Sequence, residues 1–413
     1  MSAAEMALAD SPTINLNNPI HWQDWWKNPY PLYKRLRDEA PVYYDEQSNS
    51  YLITRYDDNW NVLCDFAKFS NIPFYLKEHP ENSITPFRNA DPPRHTWMRQ
   101  IVSPLFTPRA MRNLTPYFNG LADELLDAAE EGNVVEVSTQ LAIPLPGRVT
   151  CDIIGLPKEF HKLFLDLTAE RLALLGAQSG RAGVSNTRSF DEVRADLWAI
   201  LEPIANQRRR DPQNDAITLC FQAQDQMGKA ELSDQLIIDM LLALLTGGFH
   251  TTQHLIEMLM DLFADRDDLW QQMRADPSLA QACIEEMLRF DAPVQALPRF
   301  AYDAQEVAGF TIPAGSTLQM VFGSANRDER VFSEPDEFSL DRKVNRHTAF
   351  AVGVHHCPGA PVSRFETRAL LEKMLHRYQR IERAGPSERM KIEMNSVGAM
   401  HGVQNVPVRL IRA

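Results

Sequence analysis

Apolar residues recur along most of this chain at the three- and four-residue spacing of helices buried on one face. The two-residue alternation of strands appears only in short stretches. Residues 30–38 read as a short helix, and residues 42–44 and 51–54 as two strands joined by a polar turn at 47–50. Beyond them the pattern is mainly helical. The longest stretch opens at Ser233, a capping residue, and runs from Asp234 without proline to about Ala264. At ~1.5 Å per residue such a helix is roughly 45 Å long and crosses a whole domain. A second helix-compatible run covers residues 360–378.

Two segments break the periodicity. Residues 72–93 are proline-rich and irregular, yet hold Phe74, Tyr75, Leu76, Ile84 and Phe87, as expected of a pocket wall. Residues 176–186, rich in glycine and serine, read either as a mobile lid or as a plain surface loop.

The length of 413 residues alone allows two or three domains. No Gly/Ser tract, long proline run or repeat divides the periodic segments, so one domain is expected over residues 1–413, with 1–27 as an N-terminal extension. Residues 1–18 are polar, and the longest apolar run, 236–245, is interrupted by Asp239. A soluble, cytoplasmic protein without a membrane anchor is therefore expected. Five scattered cysteines, at 64, 151, 220, 283 and 357, suit a reducing compartment. The net charge of −13 disfavours nucleic acid. An acidic redox partner would need a local basic patch, for which Arg94, Arg109, Arg112, Arg364 and Arg368 are candidates against a reading as ordinary solvated charge.

Residues 350–359, Phe-Ala-Val-Gly-Val-His-His-Cys-Pro-Gly, carry the chemistry. They set Cys357 in a loop flanked by Gly353 and Gly359, directly before the 360–378 helix. Glycines at these positions allow turns closed to other residues and close approach of a flat cofactor. Amides at the helix start favour thiolate over thiol. A thiolate opposite one open position is an oxygen-activating iron site. Two other readings stand beside this one: Cys357 as a small buried residue, and a zinc site drawn from His347, His355, His356 and Cys357. In the long helix, Gly247 and Gly248 each cost about 1 kcal/mol relative to alanine. Either a flat cofactor or a tight helix crossing would compensate. At 100° per residue, Leu244, Gly248, Thr251, Thr252 and Leu255 share one stripe, which is expected to face the iron.

The pattern Phe350-x-x-Gly353-x-His355-x-Cys357-x-Gly359 resembles the haem-binding loop of the cytochrome P450 family. Glu286-x-x-Arg289 resembles that family's helix motif. It is followed by Pro298-Arg299-Phe300, by Ala325-Asn326-Arg327-Asp328, and by Phe332, Pro335, Phe338 and Arg342 at the family's spacing. His95-x-x-x-Arg99 resembles its His-x-x-x-Arg helix.

The resemblance implies a mainly α fold with a small β region, holding haem b between a long central helix and the cysteine-loop helix. It implies Cys357 as the iron ligand, with His95, Arg99, Arg299 and His355 on the haem propionates. Glu286, Arg289 and Arg342 would form a buried network under the cysteine loop. Leu244, Gly248, Val294, Gln295, Ala296, Leu297 and a loop from Val397 to Val403 would contact substrate, with Gln295 the one clear polar handle. Arg88 would either capture a carboxylate or lie at the surface.

The implied activity is a haem-thiolate monooxygenase that inserts one atom of O2, as co-substrate, into an apolar small organic molecule by hydroxylation or dealkylation. Electrons would come from a ferredoxin and an NAD(P)H-dependent ferredoxin reductase, because the chain carries no ferredoxin cluster, flavin domain or dinucleotide fingerprint. A monomer is the family's default. A peroxide-driven or NO-reducing enzyme and a non-catalytic haem sensor are the alternatives.

The implied oxygen groove of Gly247, Gly248 and Thr251 departs from the family at one position. His250 stands where the family has an acid that relays protons. Histidine relays protons too, although an ideal helix sets His250 roughly opposite the Thr251 stripe. A proton relay, and a residue set behind the site or at the surface, are both open readings.

Overall fold

Buried Leu32, Tyr33 and Leu36 give the first helix, α1 (Tyr30–Glu39), its inner stripe. The strands β1 (Val42–Asp45) and β2 (Ser50–Ile53) follow within a residue of their expected positions. The structure is a computed structural model that describes residues 27–79, 83, 85–129, 134–167, 170, 188–390, 392 and 398–413. The expected N-terminal extension, except residue 27, and the 176–186 loop lie outside the described residues.

Helices α2 (Tyr56–Cys64), α3 (Arg94–Val102), α4 (Pro108–Ala129) and α5 (Pro144–Ile154) come next, with the short β3 (Val135–Glu136) before α5. After α6 (Phe190–Arg210) and α7 (Ala216–Met227), the long helix α8 spans Asp234–Asp265. It starts as predicted, with the N–H of Leu236 donating to the Ser233 hydroxyl at 3.1 Å. Then follow α9 (Asp267–Ala275), α10 (Ala280–Phe290), β4 (Val294–Ala301), β5 (Gln305–Val307), β6 (Phe310–Ile312), β7 (Ser316–Val321) and α11 (Phe322–Ala325). The chain closes with α12 (Ala360–Arg377), β8 (Tyr378–Arg383), β9 (Glu388–Arg389), β10 (Ala399–Met400), β11 (Val403–Gln404) and β12 (Pro407–Arg412).

The fold is mainly α, with small sheets. The largest sheet has the order β1-β2-β7-β4-β10, with β2 and β7 parallel and the other pairs antiparallel. The sequence pattern reveals only its first hairpin. Strands β4 and β7 are buried along most of their length, and burial on both faces removes the polar alternation by which a strand is read.

Helix α8 runs between two apolar clusters. Its first half packs Ile237, Met240 and Leu241 with Leu197, Leu201 and Phe221 of α6 and α7. Its second half packs Leu259, Met260 and Phe263 with Phe118 and Leu125 of α4 and Leu370 and Leu371 of α12. A third cluster joins β2, β7 and α2 to Ala351 and Val352, and so seats the cysteine loop against the sheet. At the junction of the two halves α8 opens: Ala243, Leu244, Thr246, Gly247 and Thr251 are at least partly exposed on a helix otherwise mostly buried.

Candidate active site

The cysteine loop is held by its own backbone. The N–H of Cys357 donates to the Phe350 carbonyl at 2.9 Å, that of Ala351 to Thr348 at 2.8 Å, and that of His356 to Gly353 at 3.1 Å. Gly353 has φ +73, and a Cβ there would meet the Leu63 carbonyl oxygen at 3.0 Å, so glycine is required at this turn. Gly359 differs from expectation. Its φ of −78 is open to any residue, and a Cβ there would sit 3.8 Å from the Cys357 sulfur in ordinary contact.

The thiolate preference expected of the helix start is present but outweighed. Burial raises the Cys357 thiol above its usual value, while the N–H groups of Gly359 and Ala360 and the charges of Arg99 and Arg364 pull it down. A bound cation is what would make the thiolate the stable form. The zinc reading fails on geometry. Among the described residues no three His, Cys, Asp or Glu side chains are grouped to hold a metal ion; the His347 ring lies 3.0 Å from Glu285, and His355 stacks on His95 with ring centroids 3.9 Å apart.

Two adjacent carboxylates on α10 brace the loop from below. Glu286 accepts from Arg289 Nε at 2.9 Å and Nη2 at 2.8 Å, and from Arg342 Nε at 2.9 Å, with both acid and Arg289 fully buried. Arg289 also donates to the carbonyls of Asn326, Pro335 and Glu337, and the Asn326 side chain accepts from the N–H of Thr348 at 2.7 Å. The chain of bonds thus runs from α10 to the start of the cysteine loop. Glu285, which sequence reasoning missed, clasps Arg364 at 2.7 and 2.8 Å and His347 at 3.0 Å, one on each side of Cys357. Burial alone would raise the Glu285 carboxyl, but these partners hold it at about 2.

The open face of α8 is centred on Gly247, one residue away from the predicted stripe. Nothing lies within 4 Å of where a Gly247 Cβ would stand. A Cβ on Gly248 would meet the Thr150 hydroxyl at 2.9 Å, so this glycine serves the crossing of α5 over α8 and is turned from the open face. The two glycines therefore have different causes, one for each explanation the sequence leaves open. Thr252 is also turned away, its hydroxyl donating to Ser363 of α12 at 3.0 Å, and Leu255 is buried in the core. Thr251 stays at the open face, donating to the Gly247 carbonyl at 2.9 Å. The Thr252–Ser363 bond ties this step of α8 to the helix that follows Cys357.

His250 lies at the margin of the open face and not across the helix from it. At 100° per residue it follows Ala243 and Gly247 on the next turn. Its ring rests on Phe249 with centroids 4.3 Å apart, and its Nε2 is buried without a partner. One turn further on, His254 Nδ1 is 2.8 Å from Glu257, which also accepts from Gln253 at 3.1 Å. Burial and the neighbouring His254 depress His250 to about 4, so its ring is neutral at neutral pH.

At the other edge, α3, β4 and the cysteine loop bring together His95, Arg99, Arg299 and His355. His95 is buried, and Nε2 of both His95 and His355 lacks a hydrogen-bond partner. Burial and nearby positive charge pull His95 down to about 3. Arg99 donates to the His356 carbonyl at 2.9 Å. Arg299, 4 % exposed, donates only to the carbonyl of its neighbour Pro298, at 2.8 Å, among the described residues.

Comparison with known proteins decides the family. The family model for Cytochrome P450 matches residues 184–401. Cytochrome P450 109 of Bacillus spizizenii is 31 % identical over 382 residues, covering 92 % of each chain. The chain belongs to the cytochrome P450 family. Another relative, the mycinamicin IV hydroxylase/epoxidase of Micromonospora griseorubida, is 31 % identical, covering 87 % of this chain and 90 % of its own. Among solved structures, a P450 of Bacillus megaterium in complex with testosterone superposes with a TM-score of 0.80 at 28 % identity, covering 94 % of this chain and 98 % of its own. Membership makes this protein a P450 monooxygenase, and the family implies a haem iron.

The residues of this P450 fit that group. The buried ring nitrogens of His95 and His355 that lack a hydrogen-bond partner, the free N–H groups of Arg299 and the vacant side-chain position at Gly247 would suit a flat dianionic cofactor held through Cys357.

The expected substrate contacts divide. Leu244, Val294 and Leu297 are partly exposed, as pocket-lining residues must be. Gln295 is fully buried and turned the other way. Its Nε2 donates to the Ala292 carbonyl at 2.8 Å, and its side chain fills the space over Gly323, where a Cβ would come within 1.9 Å of Oε1. It is therefore not the polar handle of the pocket. Ala296 is buried under β10, paired with Ala399. Val397 lies outside the described residues. Of the expected basic patch, Arg364 is engaged by Glu285 and Arg368 by Glu372, whereas Arg109 and Arg112 are exposed with no ion pair among the described residues. No described helix is long and apolar enough to cross a membrane.

Proposed function

We propose that this chain binds haem b in the space between α8 and α12, with Cys357 as the iron ligand and His95, Arg99, Arg299 and His355 on the propionates, and inserts one atom of O2 into an apolar small organic substrate. The reaction is a hydroxylation or dealkylation, whose second oxygen atom leaves as water with two protons and two electrons. A ferredoxin and an NAD(P)H-dependent reductase deliver the electrons, docking near the exposed Arg109 and Arg112, and the protein works as a cytoplasmic monomer. When bound, the haem iron with its thiolate ligand supplies oxygen activation. The observation that carries the reading is the bond between Thr252 and Ser363, which fixes the Gly247–Thr251 opening of α8 against the helix that begins beside Cys357.

Within this reading each residue has a stated task. Leu244, Val294 and Leu297, with Val397, give the substrate an apolar seat that excludes water. The Thr251 hydroxyl, already bonded to the Gly247 carbonyl, has lone pairs free to accept from a water at the open face. Gly247, not Gly248, leaves room for that water. His250 passes protons toward Thr251 as a neutral ring, backed by the Gln253–Glu257–His254 cluster.

Replacing His250 with alanine is expected to lower product formed per NADH consumed, measured with redox partners and a substrate in hand. Because His250 is held at about 4, coupling in the parent enzyme is expected to stay flat between about pH 6 and pH 8. Unchanged coupling in the variant would remove His250 from proton delivery.

The function itself is tested by titrating the purified ferric protein with apolar compounds and then assaying those that shift the haem Soret band. NADH consumption and oxygenated product that both depend on the compound are expected. Faster product formation with hydrogen peroxide alone than with redox partners would move the enzyme to the peroxide-driven class.

A further inference from the structure

Positive charge at the propionate edge exceeds what the protein itself neutralises. Arg299 is buried in β4, with only a neighbouring backbone carbonyl as acceptor among the described residues. Arg88, half-buried on the irregular segment between Phe87 and the buried Asn89, lies close enough to Arg299 to depress it electrostatically. Neither guanidinium forms an ion pair with a described carboxylate. Asp91, whose charge acts on Arg299 against that of Arg88, is engaged elsewhere: it accepts from the Ser70 hydroxyl and from the N–H of Asn71 at 3.1 Å, and faces His355 at 3.8 Å. Burial pulls both arginines down to about 10, the mark of cations short of a counter-charge.

The segment that carries Arg88 is fastened in place. The Tyr302 hydroxyl donates to the Ile72 carbonyl at 2.8 Å, and Phe74 packs edge-on against Phe300 and Tyr302. Ser70 and Phe300 exchange backbone hydrogen bonds at 2.9 and 3.0 Å, next to Arg299. Asp91, three residues past Arg88, accepts from Ser70 and Asn71, so the Ser70–Phe300 bonds tie the stretch of chain that carries Arg88 to the strand that carries Arg299. The buried Arg299 guanidinium and the half-buried Arg88 repel each other without an ion-pair partner, which costs stability unless an anion sits between them. The planar forks of arginine match a carboxylate, each able to donate two parallel N–H bonds.

We propose that Arg88 and Arg299 form a two-guanidinium clamp for a carboxylate at the edge of the haem cavity. The carboxylate has two sources: a haem propionate, which would add Arg88 to the four propionate residues already assigned, or the acid group of a substrate, which would draw Arg299 out of that set. The proposal rests on the haem-binding reading for the first source.

Haem-loaded wild type, Arg88→Gln and Arg88→Lys are to be compared in two measurements. One is the rate of haem transfer to excess apomyoglobin. The other is Soret titration with a saturated fatty acid and an aromatic acid, each paired with its methyl ester. At least about tenfold faster haem loss in Arg88→Gln, partly restored in Arg88→Lys, assigns the clamp to a propionate. Unchanged haem loss with at least about a tenfold loss of preference for acid over ester assigns it to a substrate. If neither changes in Arg88→Gln, there is no clamp. The Arg88→Lys variant keeps the charge and separates a lost carboxylate contact from a misfolded loop. A wild-type protein that takes up no haem would instead overturn the haem reading itself, independently of Arg88.

Discussion

Replacing Glu286 with alanine is expected to lower the free energy of unfolding by about 3–5 kcal/mol, the cost of removing one partner from a buried ion pair. The carboxylate takes five side-chain hydrogen bonds at 2.8 to 3.3 Å, from Arg289, Arg342 and Asn345, and another from the Ser339 N–H at 3.0 Å. Without it, the fully buried Arg289 keeps its charge and loses its counter-ion. Because Arg289 also reaches the Asn326 segment that holds Thr348, haem affinity should fall together with stability. Urea unfolding followed both by tryptophan fluorescence and by Soret absorbance measures the two effects. A second change, Arg289→Met in the alanine background, should recover part of the loss by removing the stranded charge. A loss under about 1 kcal/mol would mean that water replaces the acid and that the network does not brace the loop.

Replacing Cys357 with histidine is expected to abolish O2-dependent product formation while leaving the chain folded. The loop does not depend on the sulfur for its shape, since the Cys357 N–H to Phe350 carbonyl bond and the Gly353 turn are backbone features. An imidazole can bind iron, but it lacks the electron donation of a thiolate. Circular dichroism should therefore match wild type, and haem should still be taken up, while turnover falls to background. A variant keeping more than about a tenth of wild-type turnover would show that the thiolate is not the group on which the chemistry depends.

The helical frame and the chemistry of the cysteine loop were legible because both are local. Ser233 caps α8 at the predicted residue, and the Cys357 loop is a contiguous pattern. What failed to show were features decided by distant packing. Helical phase alone could not assign Gly247 to the open face and Gly248 to Thr150, because only the crossing of α5 distinguishes them. Gln295 reads as a pocket residue from the resemblance, yet the missing side chain of Gly323, 28 positions later in sequence, draws it to the other side. Glu285 carries no motif beyond its adjacency to Glu286, and its role emerges only when His347 and Arg364 fold onto it. Arg88 looks like any loop arginine until the bonds of Asp91 to Ser70 and of Ser70 to Phe300 bring its segment to the strand of Arg299, with no ion pair to either arginine among the described residues.

The most direct measurement is the absorption spectrum of the reduced wild-type protein with carbon monoxide. A thiolate ligand moves the Soret band to the long-wavelength position from which the family takes its name, and that position is expected here, lost in the Cys357→His variant. A wild-type band at the shorter wavelength of imidazole-bound haem would contradict Cys357 as the iron ligand and, with it, the oxygenase chemistry built on that sulfur.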